Sequence, residues 1–303
     1  MRLGEVARPQ LEESLRTGRF RLDLGLFNLK LASSVPEFVE SFCTLYHDYQ
    51  VSLDGEGFDF DIAIAPAVFW RRWIRRNANF EFSGNTPFLP MEVNHAHAMF
   101  EWGLNWAVAS YFHRLLIIHA ASLEFSGCGV LLSAVSGSGK STLSAELCLQ
   151  GWRLLSDELA LIDSDVSLSS LVRPVSLKGH AINVIQERHS DCVMGAIARN
   201  THKGDVAHLK PPTESVAKIQ RTANPRIIVF PKWRDGAELE VTPVCSGDAA
   251  LRLIDQSFNY SILGYEGFRR TSQLVKRAEA WQIEYSSLDD AREALESLVT
   301  DCA

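Results

Sequence analysis

Apolar and polar residues in the first part of the chain follow two periods. Strict alternation predicts short half-buried strands at residues 20–24, 26–31, 60–64 and 80–82. Apolar residues recur at helical spacing over 36–49, which predicts a helix with Ser34 as its N-cap. A longer helical pattern covers 90–113 and is predicted to link this region to the rest of the chain. Residues 1–112 are therefore predicted to form a small mixed α+β domain that includes the linking helix.

The remaining residues, 113–303, switch repeatedly between short apolar runs and helical patterns, which predicts an α/β domain. Strands are predicted at 115–118, 122–125, 130–134, 152–155, 159–162, 182–185 and 227–230. Helices are predicted at 142–150, 249–258, 265–277 and 289–298. The unbroken apolar run at 227–230 predicts a strand in the centre of a sheet.

Two polar segments have alternative interpretations. Residues 200–212 end on two prolines and are predicted to be a loop. Such a loop either folds over bound phosphates or substrate, or is a mobile surface connection. His95 and His97 are two residues apart in a predicted helix, where they point to different faces, so no shared metal is predicted.

The strongest chemical signal is Val-Ser-Gly-Ser-Gly-Lys-Ser-Thr at 135–142, between a predicted strand and a predicted helix. Glycines let the backbone curl so that successive N–H groups face one phosphate chain, and the helix N-terminus adds positive charge. The strict phosphate-loop pattern has glycine where this chain has Ala134. The flanking strand and helix nevertheless favour a phosphate loop over an ordinary Gly/Ser-rich turn. The predicted nucleotide-binding residues are Ser136, Gly137, Ser138, Gly139, Lys140, Ser141 and Thr142.

Within that loop, Lys140 is expected to reach the β- and γ-phosphates, and the Ser141 hydroxyl is expected to bind Mg²⁺. Asp157 and Glu158 follow the next predicted strand. Acids at a strand end beside a phosphate loop suit Mg²⁺ binding or proton acceptance from an attacking hydroxyl, although a solvated acidic turn is the alternative. His119, at another strand end, has both a catalytic and a structural interpretation.

The composition limits the class of protein. A length of 303 residues, with 46% hydrophobic and 22% charged residues, is typical of a soluble globular protein with a sizeable core. The formal net charge is −7 and no lysine/arginine cluster can follow a phosphate backbone, so no nucleic-acid partner is predicted. Residues 1–17 lack an apolar signal segment and no apolar run reaches membrane-spanning length, so a cytoplasmic protein without a membrane partner is expected. Six scattered cysteines without a Cys-x-x-Cys pair predict reduced thiols.

The candidate site residues occur along the chain in the order His119, the phosphate loop and Asp157. The predicted elements around them are a strand, a turn and a second strand, then the loop, a helix and a third strand. That layout resembles the catalytic domain of bacterial HPr kinase/phosphorylase, whose fold is similar to that of the phosphoenolpyruvate carboxykinases. The closest resemblance is to subgroup A of the HPr-kinase-related kinases, from about Trp102 to the C-terminus. The segments that carry it are 102–106, 151–158, 173–178, 206–212 and 258–260.

The resemblance implies an α/β fold, with a P-loop kinase domain of the HPr kinase/phosphoenolpyruvate carboxykinase type at 113–303 behind a small N-terminal α+β domain. It implies that Asp157 accepts the proton of the acceptor serine, that Glu158 occupies the position of a second aspartate and that His119 occupies that of the family's histidine. Two features do not match. Residues 176–179 lack the family's further glutamate, so the resemblance does not extend to the metal contact that this glutamate makes. The family's characteristic later loop is not recognisable, so the resemblance does not extend to phosphorylase activity or to HPr as substrate.

The leading functional hypothesis is an ATP-dependent, Mg²⁺-dependent kinase that phosphorylates a hydroxyl, with serine the expected acceptor, on a small protein or peptide. The first alternative is a small-molecule kinase. The second is a catalytically silent, nucleotide-binding regulatory module. Lys140, Ser141 and Asp157 favour turnover, whereas Ala134 favours the silent module. The sequence leaves a homo-oligomer open.

Overall fold

The structure is a computed structural model that describes residues 1–67, 76–135 and 137–301. The chain folds into two compact units. Unit 1 contains Met1–Val108 and Ser176–Ala217. Unit 2 contains Ala109–Val175 and Lys218–Ala303. The division into domains 1–112 and 113–303 remains a prediction, and the units differ from it chiefly in the segment 176–217, which groups with the N-terminal residues.

The first part of the chain alternates helices with short strands and contains 3₁₀ turns at Leu3–Glu5 and Val93–His95. Its elements are α1 (Arg8–Thr17), β1 (Arg21–Asp23), β2 (Asn28–Ser33), α2 (Pro36–Leu45), β3 (Val51–Ser52), β4 (Phe60–Pro66), β5 (Asn77–Phe82), β6 (Met91–Glu92) and α3 (Ala96–Tyr111). The chain passes from unit 1 to unit 2 inside α3, after Val108.

The rest of the chain carries most of the strands that concern the candidate site. From the end of α3 to residue 169, the elements are β7 (Leu116–Ile118), β8 (Ala120–Phe125), β9 (Cys128–Ser133), α4 (Lys140–Leu149), β10 (Arg153–Ser156), β11 (Ala160–Ile162) and β12 (Leu168–Ser169). The elements from residue 175 to residue 217 are β13 (Val175–Lys178), α5 (His180–Arg188), β14 (Ala198–Thr201), β15 (Gly204–Leu209) and α6 (Thr213–Ala217). They are followed by β16 (Pro225–Trp233), β17 (Glu240–Pro243), α7 (Ser246–Asp255), α8 (Tyr260–Leu263), α9 (Tyr265–Arg277), β18 (Glu279–Tyr285) and α10 (Leu288–Asp301).

The core of unit 1 lies between a six-stranded sheet, ordered β3–β1–β2–β4–β5–β6, and helices α2 and α3. Phe38 and Phe42 are buried because their spacing brings them to one face of α2. The Phe42 ring meets Phe20 edge-on at 5.8 Å, and the Phe38 ring meets Phe100 of α3 at 5.3 Å. Each such aromatic pair is worth about 0.5–1.5 kcal/mol beyond the area that it buries.

Asp48 fixes the second stretch of unit 1 to the first. Its Oδ2 atom accepts a hydrogen bond from Thr213 at 2.6 Å and lies 2.8 Å from the Lys210 ammonium. Burial opposes ionisation, but hydrogen bonds from His47, Lys210 and Thr213 hold the pKa of Asp48 well below its usual range. The carboxylate is therefore charged in the folded protein at neutral pH and stabilises unit 1.

Unit 2 is built on a six-stranded sheet with the order β10–β8–β9–β16–β18–β17. β16 pairs in parallel with β9 on one side and with β18 on the other, which confirms the predicted central strand. Ile227, Ile228 and Val229 of β16 are fully buried, and each such side chain contributes about 1.5–3 kcal/mol relative to exposure. A smaller sheet, ordered β12–β11–β7, packs its apolar residues into the same unit.

Several sequence predictions are confirmed with small shifts at element ends. Helix α9 has the predicted bounds, and α4, α7 and α10 lie where helices were predicted. Among the described residues, no helix is both long and apolar enough to cross a bilayer. The result is a mixed α/β fold with several sheets.

Four predictions were wrong. Residues 182–185, predicted as a strand, lie in α5, because Gly179, at φ +54°, ends β13 and turns the chain into a helix that buries Ile182 and Ile185. The predicted loop at 200–212 is instead mostly the β14–β15 hairpin, and only 210–212 form an irregular connection that leads to α6. Ser34 is not the cap of α2, since Val35 is the N-cap residue and its N–H donates to Ser33 Oγ at 3.1 Å. The predicted helix at 90–113 begins only at Ala96, after β6 and a 3₁₀ turn.

Candidate active site

Strand directions in unit 2 bring the predicted site residues to one edge of the sheet. β8 is antiparallel to both β9 and β10, so β9 and β10 end at the edge where β8 begins. His119 precedes β8, the segment 134–139 follows β9, and Asp157 and Glu158 follow β10. Because β16 and β18 are parallel to β9, their carboxyl ends lie at the same edge. The topology therefore collects residues that are far apart in the sequence.

The loop after β9 contains two glycines with positive φ, Gly137 at +88° and Gly139 at +86°. Residues with a Cβ rarely adopt this conformation, which explains why glycine occupies both positions. The Ser138 hydroxyl donates to the Val135 carbonyl at 2.8 Å and closes the turn. Ser136, one of the predicted nucleotide-binding residues, lies outside the described residues.

Helix α4 begins at Lys140, with Gly139 as its N-cap residue. Ser141 and Thr142 therefore lie in the first turn, where backbone N–H groups have no partner within the helix and the dipole favours an anion. The helix starts before the predicted residue 142, so the lysine and both hydroxyl residues belong to it. This arrangement of a strand, a glycine turn and a helix N-terminus can bind phosphate.

Lys140 joins this turn to the end of β10. Its ammonium group donates a hydrogen bond of 2.8 Å to the main-chain oxygen of Asp157. Lys140 and Asp157 are only 7% and 5% exposed, so the contact is shielded from solvent. Cys148, on the same helix, is fully buried, and burial together with the nearby Asp157 charge raises the pKa of its thiol. Cys148 is therefore an inert thiol, whereas the hydrogen bond to the Asp157 main chain holds the Lys140 ammonium at the end of β10.

His119 and Glu158 form the more exposed part of the site. The Nε2 atom of His119 lies 4.0 Å from Glu158 Oε2, and both side chains are partly exposed. The main-chain N–H of His119 donates to the Gln256 carbonyl at 2.8 Å, which fixes the backbone before β8. The His119 ring also lies 6.0 Å from the ring of Phe258, measured between centroids. His119 and Glu158 are thus close enough to act together on one ligand.

Two residues that sequence reasoning missed support the glycine turn. The main-chain N–H of Trp233, the last residue of β16, donates to the Ser138 carbonyl at 3.0 Å. The Tyr285 hydroxyl, at the end of β18, makes a long hydrogen bond of 3.5 Å to the Gly139 carbonyl. A Cβ atom on Gly139 would lie 2.9 Å from both Trp233 Cβ and Tyr285 Oη. The sequence signal that could have found them is that parallel strands end at a common edge of a sheet. It could not be used for Tyr285, because the strand β18 was not predicted.

The side chains available for a metal are oxygen donors: the Ser141 hydroxyl and the Asp157 and Glu158 carboxylates. Within residues 1–67, 76–135 and 137–301, no group of three or more His, Cys, Asp or Glu side chains is arranged to hold a metal ion. Mg²⁺ usually binds one or two carboxylates and completes its shell with phosphate oxygens and water. The donor set fits such an ion and does not fit a metal held by protein side chains alone.

Unit 1 contains a separate cavity of about 710 Å³. His95 and His97 both line it, because His95 lies in the 3₁₀ turn and not in α3. The Nε2 atom of His95 contacts the Arg199 carbonyl at 2.8 Å, and that of His97 lies 3.3 Å from Glu101 Oε1, outside hydrogen-bond geometry. The contact of His95 joins the 3₁₀ turn to β14, whereas that of His97 lies within α3.

No protein-family model matches the chain. Among curated proteins, an HPr kinase/phosphorylase from Nitrosomonas europaea is 22% identical over 190 residues, which cover 58% of this chain and 57% of that protein. The chain thus matches little more than half the length of this relative. Among solved structures, the Hpr(Ser) kinase/phosphatase from Coxiella burnetii is similar with 12% identity and a TM-score of 0.25, over 61% of this chain and 94% of that chain. The sequence comparison confirms the resemblance to HPr kinase/phosphorylase, and the assignment to subgroup A remains a prediction.

Proposed function

We propose that this chain, which resembles HPr kinase/phosphorylase, is an ATP-dependent kinase with a P-loop domain of the HPr kinase/phosphoenolpyruvate carboxykinase type. It transfers the γ-phosphoryl group to a hydroxyl, a serine of a small protein or peptide. One observation carries the proposal. The Lys140 ammonium at the start of α4 donates to the Asp157 main chain, so the phosphate-binding turn and the acid pair meet at one edge of the sheet.

Phosphoryl transfer depends mainly on positioning and on neutralising charge. The turn supplies two glycines that adopt positive φ, and the first turn of α4 supplies N–H groups and a favourable dipole. The Lys140 ammonium, already held in a buried position, would pair with the β- and γ-phosphates. The chain therefore contributes a cation and a set of donors at the point where phosphate charge has to be stabilised.

The metal expected here is Mg²⁺, held by the Ser141 hydroxyl and by Glu158 or Asp157 together with phosphate oxygens. When bound, it would neutralise part of the phosphate charge. Glu158 is more exposed than Asp157, and His119 lies beside its carboxylate. Glu158 is thus a better candidate than Asp157 for the metal ligand, because its carboxylate is accessible to solvent and lies beside His119.

Asp157 is the proposed base. A serine hydroxyl is a weak nucleophile, and a carboxylate within hydrogen-bond reach accepts its proton as transfer proceeds. The end of β10 and the contact with Lys140 hold Asp157 rigidly. Asp157 and Glu158 both lie in a bend after β10. Glu158 takes the supporting role because it is the more exposed of the two and lies beside His119.

The test combines turnover and binding. ATP consumption is measured with and without serine-containing peptides, small proteins and small-molecule alcohols, since acceptor-dependent turnover separates the protein kinase from the small-molecule kinase. Asp157→Asn keeps the size of the side chain but cannot accept the proton, so nucleotide binding is retained and most transfer is lost. Glu158→Gln is the neighbouring control and has a milder effect. Transfer by Asp157→Asn at the parent's rate would assign the base elsewhere, with His119 the next residue to test.

A further inference from the structure

The carboxyl ends of β16 and β18 meet the glycine turn at two consecutive peptide groups. Trp233 N–H holds the Ser138 carbonyl at 3.0 Å. The next carbonyl, that of Gly139, accepts from the Leu143 N–H at 2.9 Å and from the Tyr285 hydroxyl at 3.5 Å. The Ser138 carbonyl is thus held by β16, and the Gly139 carbonyl is held by β18 and by the helix α4.

A held carbonyl also determines the direction of the N–H in the same peptide group. The peptide unit is planar and almost always trans, so its C=O and N–H bonds point in opposite directions. Fixing the Ser138 carbonyl against β16 fixes the N–H of Gly139 on the opposite side. Fixing the Gly139 carbonyl in the same way fixes the N–H of Lys140. These two N–H groups lead into α4, where a phosphate would be bound.

We propose that Tyr285 is a positioning residue for phosphate binding, which acts by holding the Gly139 peptide so that the Lys140 N–H faces the ligand. The inference rests on the proposed function, since it specifies how the same site is organised. Tyr285 does not touch the ligand in this scheme. It acts through the backbone of the turn, and its ring is held in place because the side chain is almost fully buried.

Two properties of Tyr285 suit this role. Burial raises the pKa of its hydroxyl, so the group stays a hydrogen-bond donor at physiological pH. Its oxygen lies only 2.9 Å from the position of a Cβ on Gly139, so the turn has no room to move towards β18. The hydroxyl therefore acts both as a donor and as a steric stop. Removing it leaves the Gly139 carbonyl with the Leu143 N–H but without its support from β18, so the peptide group is held less firmly.

The experiment is Tyr285→Phe, which removes the hydroxyl and keeps the ring. Calorimetric titration with ATP and with ADP gives the affinity, and amide hydrogen exchange of the peptide spanning 137–143 gives the mobility of the turn without nucleotide. We expect Kd to rise about three- to tenfold, the scale of one lost hydrogen bond. Exchange at 139–140 should accelerate, while the midpoint of urea unfolding stays near the parent's value. Tyr265→Phe, with its hydroxyl on the exposed side of α9, is the matched control and should match the parent in both measurements.

Unchanged affinity, or unchanged exchange, in Tyr285→Phe would overturn the inference, because positioning requires both to change. The proposed function fails separately. If the parent itself binds neither ATP nor ADP, the nucleotide site is wrong, and the exchange measurement still decides whether Tyr285 restrains the turn. A large loss of stability in Tyr285→Phe would also contradict a positioning role and indicate a purely structural one.

Discussion

Replacing Gly139 by alanine tests the most constrained backbone position of the candidate site. Gly139 has φ +86°, and an L-residue in the left-handed region costs about 1–2 kcal/mol. The added Cβ would also lie 2.9 Å from Trp233 Cβ and from Tyr285 Oη. Neither atom can move freely, because Trp233 Cβ is attached to the backbone at the end of β16 and Tyr285 is almost fully buried. Overpacking of this kind costs about 1–3 kcal/mol. We therefore expect Gly139→Ala to lower the free energy of unfolding by about 2–5 kcal/mol, the sum of the two costs.

Gly137→Ala is the matched control. Gly137 has nearly the same φ, +88°, but no atom lies within 4 Å of the position of its Cβ. It should show only the conformational cost, about 1–2 kcal/mol. Urea unfolding followed by circular dichroism measures both variants, and the m-value should stay constant if only stability has changed. Equal losses in the two variants would refute the steric part of the reasoning, and a Gly139→Ala variant as stable as the parent would refute all of it.

Three further predictions concern separate residues. Lys140→Ala should abolish phosphoryl transfer and weaken ATP binding in calorimetry, because the phosphates lose their main cation; ATP binding as tight as the parent's would disprove a phosphate site. Asp48→Asn should cost about 1–2 kcal/mol at neutral pH. Because the folded pKa of Asp48 is below its unfolded value, this difference is full above about pH 4 and shrinks as the pH falls further, which unfolding curves at several pH values can check. Gly103→Ala should destabilise unit 1 by about 1–3 kcal/mol, since the added Cβ would lie 2.2 Å from the buried Phe80 ring. A second substitution, Phe80→Leu, should recover part of this loss. If thermal unfolding of Gly103→Ala matches that of the parent, this packing is contradicted.

Helices and strands whose apolar pattern is strong were predictable from sequence. α9 has a polar face and an apolar face at helical spacing, and β16 is an unbroken apolar run, so both were found in place. α5 was mistaken for a strand because its short apolar cluster, 182–185, carries no periodicity that separates a buried strand from a helix. The turn at Gly179, with its positive φ, ends β13 just before this cluster, and that conformation is not readable from the sequence.

The β14–β15 hairpin shows a different limit. Its polar residues predicted a loop, but Val206, Ala207 and His208 of β15 are all buried by tertiary packing. The same holds at the candidate site. The glycine turn and Lys140 are local in sequence and could be predicted, whereas the supports at Trp233 and Tyr285 depend on which strands are neighbours. Sheet order is a long-range property, so sequence reasoning found the groups proposed to bind phosphate and missed those that hold them.

The split composition of unit 1 affects how the protein is made. Its two stretches are separated by residues 109–175, all of which belong to unit 2. As the chain leaves the ribosome, some partners of the N-terminal stretch emerge late. The Arg199 carbonyl contacts His95, and Gly195 packs against Leu45. Both Gly195 and Arg199 are synthesised after the whole of residues 109–175. Closing so long a loop adds only a modest entropic cost, but it delays completion. A fragment that stops at Val108 therefore leaves part of its own core surface uncovered, and an expression boundary that keeps unit 1 intact has to include both stretches.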